Sequence, residues 1–244
     1  MDGLVARPGA LTYRDLRALP AQGTMITLVS EAYRPGLELV GNAVWRGVRL
    51  AEVLATCKRL PGARWAIIEA ADGDAVAVPV SAAEEVLLAY EMNGAMLHAA
   101  YGHPVRLIVP GHVEEVSLRW VTRLWLSDVP PVGIRQVSAA TRVRPFAALL
   151  WPQHLECVQR GSAVTLQGIA CAGERPVEAV LVRVDGSEAM PARLHPLPSA
   201  HAWVQWSAVW RPEMVGPVQI EVRPVVDGTR TAAESHVLVL TVEA

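Results

Sequence analysis

The chain is short of several things that would define its chemistry at once. Its three cysteines, Cys57, Cys157 and Cys171, are too far apart to form a C-x-x-C pair, which argues against a zinc knuckle and a thioredoxin-type motif. The seven histidines include no H-x-x-x-H pair, and His98, His103 and His112 fall in expected loops, where solvation is the expectation. No stretch of about 18 apolar residues occurs, so no membrane span is expected. The start, Met1 to Pro8, lacks a basic segment followed by an apolar run. Neither a signal peptide nor a twin-arginine export signal is therefore expected. The compartment implied is the cytoplasm, with the periplasm reached only beside a partner that carries a signal. A formal net charge of -2 gives no general attraction to nucleic acid or an anionic membrane. One phenylalanine stands against eight tryptophans, so Trp has to supply the bulky aromatic core.

What is present is a globular composition, 52% hydrophobic and 19% charged over 244 residues, enough for one large domain or two ordinary ones. Thr12 with Asp15 caps a short helix stopped by Pro20, and Met25 to Val29 reads as a strand followed by a loop with Pro35-Gly36. Leu50, Val53, Leu54 and Cys57 fall at helical spacing, which turns Cys57 into the core. Trp65 to Ala70 and Ala75 to Val80 are strands joined around Asp72-Gly73, a tight-turn signal. Ser81-x-x-Glu84 is a capping box that predicts a helix over 82–90.

After Asp128 the texture changes. Pro130-Pro131, Gly133 and Pro145 mark a connector, and then strands recur at regular intervals: 164–171, 177–184, 203–210, 218–224 and 236–242. The expected fold class is α+β, with a mixed α/β domain at 1–129 and an immunoglobulin-like β-sandwich at 130–244.

The most informative stretch runs from Glu91 to Pro130. Val105 to Val109 is an apolar strand interrupted by Arg106, and Arg119 sits between Leu118 and Trp120 at the head of another strand. A buried arginine needs a partner. Two arginines beside glycine-rich loops suit a phosphate, and they equally suit an Asp or Glu of their own domain.

Glu91-Met92-Asn93-Gly94, Gly102, Pro104, Arg106, Val109-Pro110-Gly111, Ser117, Arg119 and Trp120 together resemble the sulfite oxidase family of molybdopterin enzymes. Gly41-Asn42-Ala43-Val44-Trp45-Arg46-Gly47-Val48-Arg49-Leu50 matches a second family segment, and Val182-x-Val184-Asp185-Gly186 and Trp203-Val204-Gln205-Trp206 match its C-terminal domain. The resemblance implies a molybdopterin domain followed by an immunoglobulin-like dimerisation domain. It also implies a further segment before the point where Met1 falls, so the chain is expected to be shortened there.

In the family a cysteine thiolate holds the molybdenum; counting back from Gly41, its position here is Ser30. Thiolate is a soft donor and hydroxyl a hard, weakly acidic one. The family histidine position is Tyr101, the lysine position is Arg119, and Asp72, Arg106 and Ser117 match cofactor contacts, although Asp72 also reads as an ordinary turn residue. The resemblance thus implies a cofactor-contacting set of Ser30, Asp72, Tyr101, Arg106, Ser117 and Arg119, no catalytic residue, and molybdopterin as the cofactor if one is bound. It further implies a homodimer, or a heteromeric oxidoreductase complex with a cytochrome-type acceptor, formed through the sandwich. The expected function is a degenerate, non-catalytic structural or assembly subunit. The alternative is an active enzyme for sulfite or a similar oxyanion, with Ser30 as metal ligand.

Overall fold

A computed structural model describes residues 1–36, 38–228 and 235–244. The chain divides into two compact units: Met1–Glu31 with Asn42–Arg142, and Ala32–Gly41 with Val143–Ala244. Both are mostly β-strand. Among the described residues the α-helices are the short Tyr13–Ala18 and Leu50–Cys57, so the helix content falls below what an α+β expectation suggests.

The first unit carries two sheets. One is ordered Asp2–Gly3, Val121–Ser127, Trp65–Ala70, Ala75–Pro79, Arg135–Gln136, with the central three strands antiparallel and both short edges parallel. The other runs Ala21–Val29, Val40–Arg49, Leu87–Met92, Ala95–Met96, and Arg106–Ile108 also pairs with Leu87–Met92. Helix Leu50–Cys57 presses Leu50, Val53, Leu54 and Cys57 into a core shared with Ile68, Val78, Leu88, Leu107 and Leu126. Thr12 and Asp15 form the anticipated capping box at the head of Tyr13–Ala18.

The helix expected over 82–90 does not form. Only a 3-10 turn, Val80–Ala82, precedes the strand Leu87–Met92. Val86, Leu87, Leu88, Ala89 and Tyr90 are all buried. A surface helix keeps one polar face, whereas a strand sandwiched between neighbours buries both, so this run prefers the sheet and overrides the local cap.

The second unit has two sheets around one core. Phe146–Trp151, Val164–Cys171, Val204–Trp210 and Arg193–Leu194 form one; Cys157–Gln159, His236–Glu243, Gly216–Val225, Ala179–Val184 and Met190–Pro191 form the other. Leu149, Leu166, Trp206, Val182, Ile220 and Leu240 meet between them. Five strands fall where the regular spacing places them. The strand Phe146–Trp151 lies inside the segment read as a connector, where Pro145 and Pro152 frame it closely. Trp206 is 1% exposed and donates through its indole N–H to the Ile169 carbonyl at 3.1 Å.

Candidate functional site

Arg106 sits on the short strand Arg106–Ile108, 3% exposed, deep in the first unit. That strand is held on one side by Leu87–Met92 and on the other by Leu107 N–H donating to the Leu118 carbonyl at 2.8 Å. Arg119 follows directly after Leu118. Gly102, at φ +105°, lets the two arginines approach: a Cβ there would lie 3.1 Å from the Arg119 Cα and 3.2 Å from the Arg106 Cβ. Only glycine tolerates both that φ and that proximity.

Between the arginines the chain turns at Gly111 and tightens into the 3-10 turn Glu114–Val116. Ser117 fastens this loop twice. Its N–H donates to the Glu114 carbonyl at 2.7 Å and its hydroxyl accepts from Val109 N–H at 3.0 Å. The loop thereby lays the Glu114 carboxylate onto the arginines. One oxygen, Oε1, accepts from Arg106 Nη2 at 2.7 Å and from Arg119 Nη2 at 3.0 Å.

Of the two partners open to the arginines on sequence grounds, the fold supplies the carboxylate. Burial lowers the pKa of Arg106, and Glu114 offsets some of that drop. Burial pushes Glu114 up, but the bonds from Arg106 and Arg119 outweigh it and hold its carboxyl below the usual range. The Arg106 guanidinium also lies 5.3 Å from the Trp45 ring centre. Among the described residues, Arg106 Nε and Trp45 Nε1 are buried without a hydrogen-bond partner.

The next residue, Glu115, does the same service for Ser30. The parallel bridge Val29↔Val113 brings the two segments together. The Ser30 hydroxyl donates to Glu115 Oε1 at 2.7 Å, and Glu31 N–H donates to both carboxylate oxygens at 3.0 and 2.9 Å.

A cavity of about 280 Å³ opens here, lined by Asp72, Asp74, Glu114, Glu115, Ser117 and Arg119 with Leu118 and Trp120. The structure thus gathers Asp72, Ser117 and Arg119 at one cavity, with Arg106 and Ser30 tied to its wall through Glu114 and Glu115. Tyr101 is not among the described residues lining it; it is 49% exposed, on the 3-10 turn Ala99–Tyr101. Asp72 caps its own hairpin turn, accepting from Asp74 N–H at 3.2 Å.

His112, expected in solvent, is instead buried at 6%, with Nδ1 2.8 Å from the Thr141 hydroxyl. The residues that sequence reasoning passed over are Glu114 and Glu115. The available signal was two consecutive carboxylates lying between the two arginines.

This donor set suits an anionic, sulfur-bearing cofactor poorly. Four lining carboxylates face one lining guanidinium, Arg119. Like charge in a partly enclosed cavity is unfavourable. The Ser30 hydroxyl, which the resemblance sets at the thiolate position, is bonded to a carboxylate rather than presented as a soft donor. Among the described residues, no group of three or more His, Cys, Asp or Glu side chains is arranged to hold a metal ion.

The fold is that of a sulfite-oxidase-type molybdopterin protein. The crystal structure of the sulfane dehydrogenase SoxCD from Paracoccus pantotrophus matches it with a TM-score of 0.83 at 20% identity, over 100% of this chain and 77% of that one. Residues 1–134 match the oxidoreductase molybdopterin binding domain, and the chain belongs to that family. Sulfite oxidase from Gallus gallus is 30% identical over 217 residues, covering 74% of this chain and 46% of that protein. Mitochondrial sulfite oxidase from Drosophila melanogaster is 36% identical over 104 residues, 38% of this chain and 18% of that protein. A nitrate reductase [NADPH] from Aspergillus niger is 29% identical over 154 residues, 53% of this chain and 18% of that protein. The chain therefore spans less than half the length of these curated relatives.

Proposed function

We propose that this chain is a non-catalytic member of the sulfite oxidase type, serving as a structural or assembly subunit of an oxidoreductase complex. The observation that carries this reading is the Ser30–Glu115 contact at 2.7 Å. At the position where relatives offer a thiolate, this protein offers a hydroxyl already engaged with an anion. A dithiolene-bound metal centre is electron-rich, and a carboxylate beside it would repel it.

The second unit is read as an immunoglobulin-like docking domain. Leu150, Trp151, Leu155, Val209, Met214 and Val215 are large apolar side chains left exposed on it. Such side chains support an interface with a second copy or with an active oxidoreductase partner, which would carry the redox chemistry and any cytochrome-type acceptor. No helix among the described residues is long and apolar enough to cross a membrane.

The test is elemental analysis. Protein purified from a host that makes the molybdenum cofactor is expected to contain only trace molybdenum and no pterin. Stoichiometric molybdenum would instead overturn the non-catalytic reading and favour the alternative, an active enzyme with an oxygen ligand from Ser30. Light scattering is expected to report a dimer at micromolar concentration; a monomer would assign the apolar side chains to a different protein.

A further inference from the structure

The second unit holds a cavity of about 550 Å³, and every described residue that lines it belongs to that unit. Leu149, Ile169, Trp203 and Leu238 give it an apolar wall, and Glu38, Gln153, His154 and His236 add polar groups. Small organic ligands bind in spaces of this kind, where apolar surface supplies affinity and a few fixed polar groups set orientation.

The backbone holds both imidazoles in one tautomer. Leu149 N–H donates to His236 Nδ1 at 3.0 Å, and Val239 N–H donates to His154 Nδ1 at 3.2 Å. A ring nitrogen that accepts an N–H carries no proton, so each neutral imidazole bears its hydrogen on Nε2. Leu155 N–H, donating to the Val239 carbonyl at 2.8 Å, fastens the turn that carries His154. Neither Nε2 has a hydrogen-bond partner among the described residues. Gly36 leaves that of His236 open, because a Cβ there would lie 3.1 Å from it. Burial, and then the nearness of His154, lower the pKa of His236 and favour its uncharged form.

The cavity therefore offers two uncharged N–H donors beside an apolar wall. An anion gains less from neutral donors than from charged ones, and the Glu38 carboxylate at the same cavity repels it. An uncharged acceptor meets no such repulsion. A carbonyl oxygen is an acceptor of this kind, and an aromatic ring attached to it suits a wall that includes Trp203.

We propose that this cavity binds an uncharged, carbonyl-bearing aromatic small molecule, with His154 and His236 donating to it from Nε2. The site shares no lining residue with the cavity at Arg119 and stands whether or not the chain is catalytic.

The experiment is isothermal titration calorimetry of the full chain at about pH 8, where imidazoles are neutral. The probe is coumarin, a fused aromatic lactone without charge; coumarin-3-carboxylate, the same ring with an added anion, is its comparison. Coumarin is expected to bind saturably, one per chain, with a dissociation constant below about 1 mM. The carboxylate is expected to bind at least about tenfold more weakly. His154→Asn keeps an acceptor for Val239 N–H but removes the Nε2 donor, and His236→Asn does the same for Leu149 N–H. Each is expected to weaken coumarin binding about tenfold. His154 is exposed, so His154→Asn is expected to melt with wild type and decides the matter if His236→Asn does not fold.

Absence of saturable coumarin binding overturns the proposal. So does a carboxylate that binds as well as coumarin, which would make this an anion site. A folded His154→Asn variant with wild-type affinity also overturns it, since the ring would then be held by apolar contact alone. Molybdenum content bears on none of these outcomes.

Discussion

Gly168→Ala is expected to destabilise the second unit by about 3 kcal/mol or more. A Cβ at Gly168 would lie 1.9 Å from the Ala148 carbonyl oxygen and 2.6 Å from Trp206 Cζ2. Neither neighbour can move cheaply. Ala148 is backbone of the adjacent paired strand, and Trp206 is fully packed with its indole N–H fixed to Ile169. The added methyl has to push neighbouring strands apart or expel the indole, and either outcome opens the core that both sheets share. Urea denaturation followed by tryptophan fluorescence measures the loss. Gly41→Ala is the control, because nothing lies within 4 Å of its added Cβ. Equal midpoints for the two variants would mean the strands shift apart without cost, contrary to the packing described.

The second large effect is the response to acid. Glu114 has its carboxyl held below its ordinary value of 4.5 in the folded protein. Unfolding returns it toward that value, so the unfolded state binds more protons in the intervening range. The contribution of Glu114 is therefore complete above the unfolded pKa and lost as pH falls through the lower, folded one. Glu114→Gln is expected to cost about 2 kcal/mol at neutral pH. Removing one partner of a fully buried pair costs more, but Glu114 is 33% exposed and water screens some of the interaction. Denaturant midpoints from pH 7 down to about pH 3 test the sign. The gap between wild type and variant should close toward acid, and a constant gap would mean that Glu114 acts through shape instead of charge.

Much of the scaffold was legible in the sequence alone. Helical spacing placed Cys57 in the core, the Asp72-Gly73 pair marked a hairpin, and regular strand spacing located most of the second unit. These signals are local, and the fold leaves them intact. The misreadings have a common origin in long-range structure. Ser81 and Glu84 make a good local helix start, yet 86–90 is claimed by the sheet on both faces. His112 looks like a loop residue because nothing near it in sequence reveals Thr141. The segment 30–38 reads as a plain loop, although Ala32–Gly41 belongs with residues more than a hundred positions on.

The site divides in the same way. Arg106 and Arg119 announced themselves, since an arginine inside an apolar strand needs an explanation. Their partner did not, because which carboxylate reaches them depends on a turn at Gly111 and a serine clasp at Ser117. Asp72 and Ser117, read as cofactor contacts by resemblance, each have a local backbone task here.

The shared oxygen of Glu114 has a genetic corollary. Glutamate codons lie one nucleotide from those for alanine, glycine and glutamine, so a single base change is enough to uncover the paired guanidiniums. The neutralising charge travels on the same polypeptide and is inherited with it.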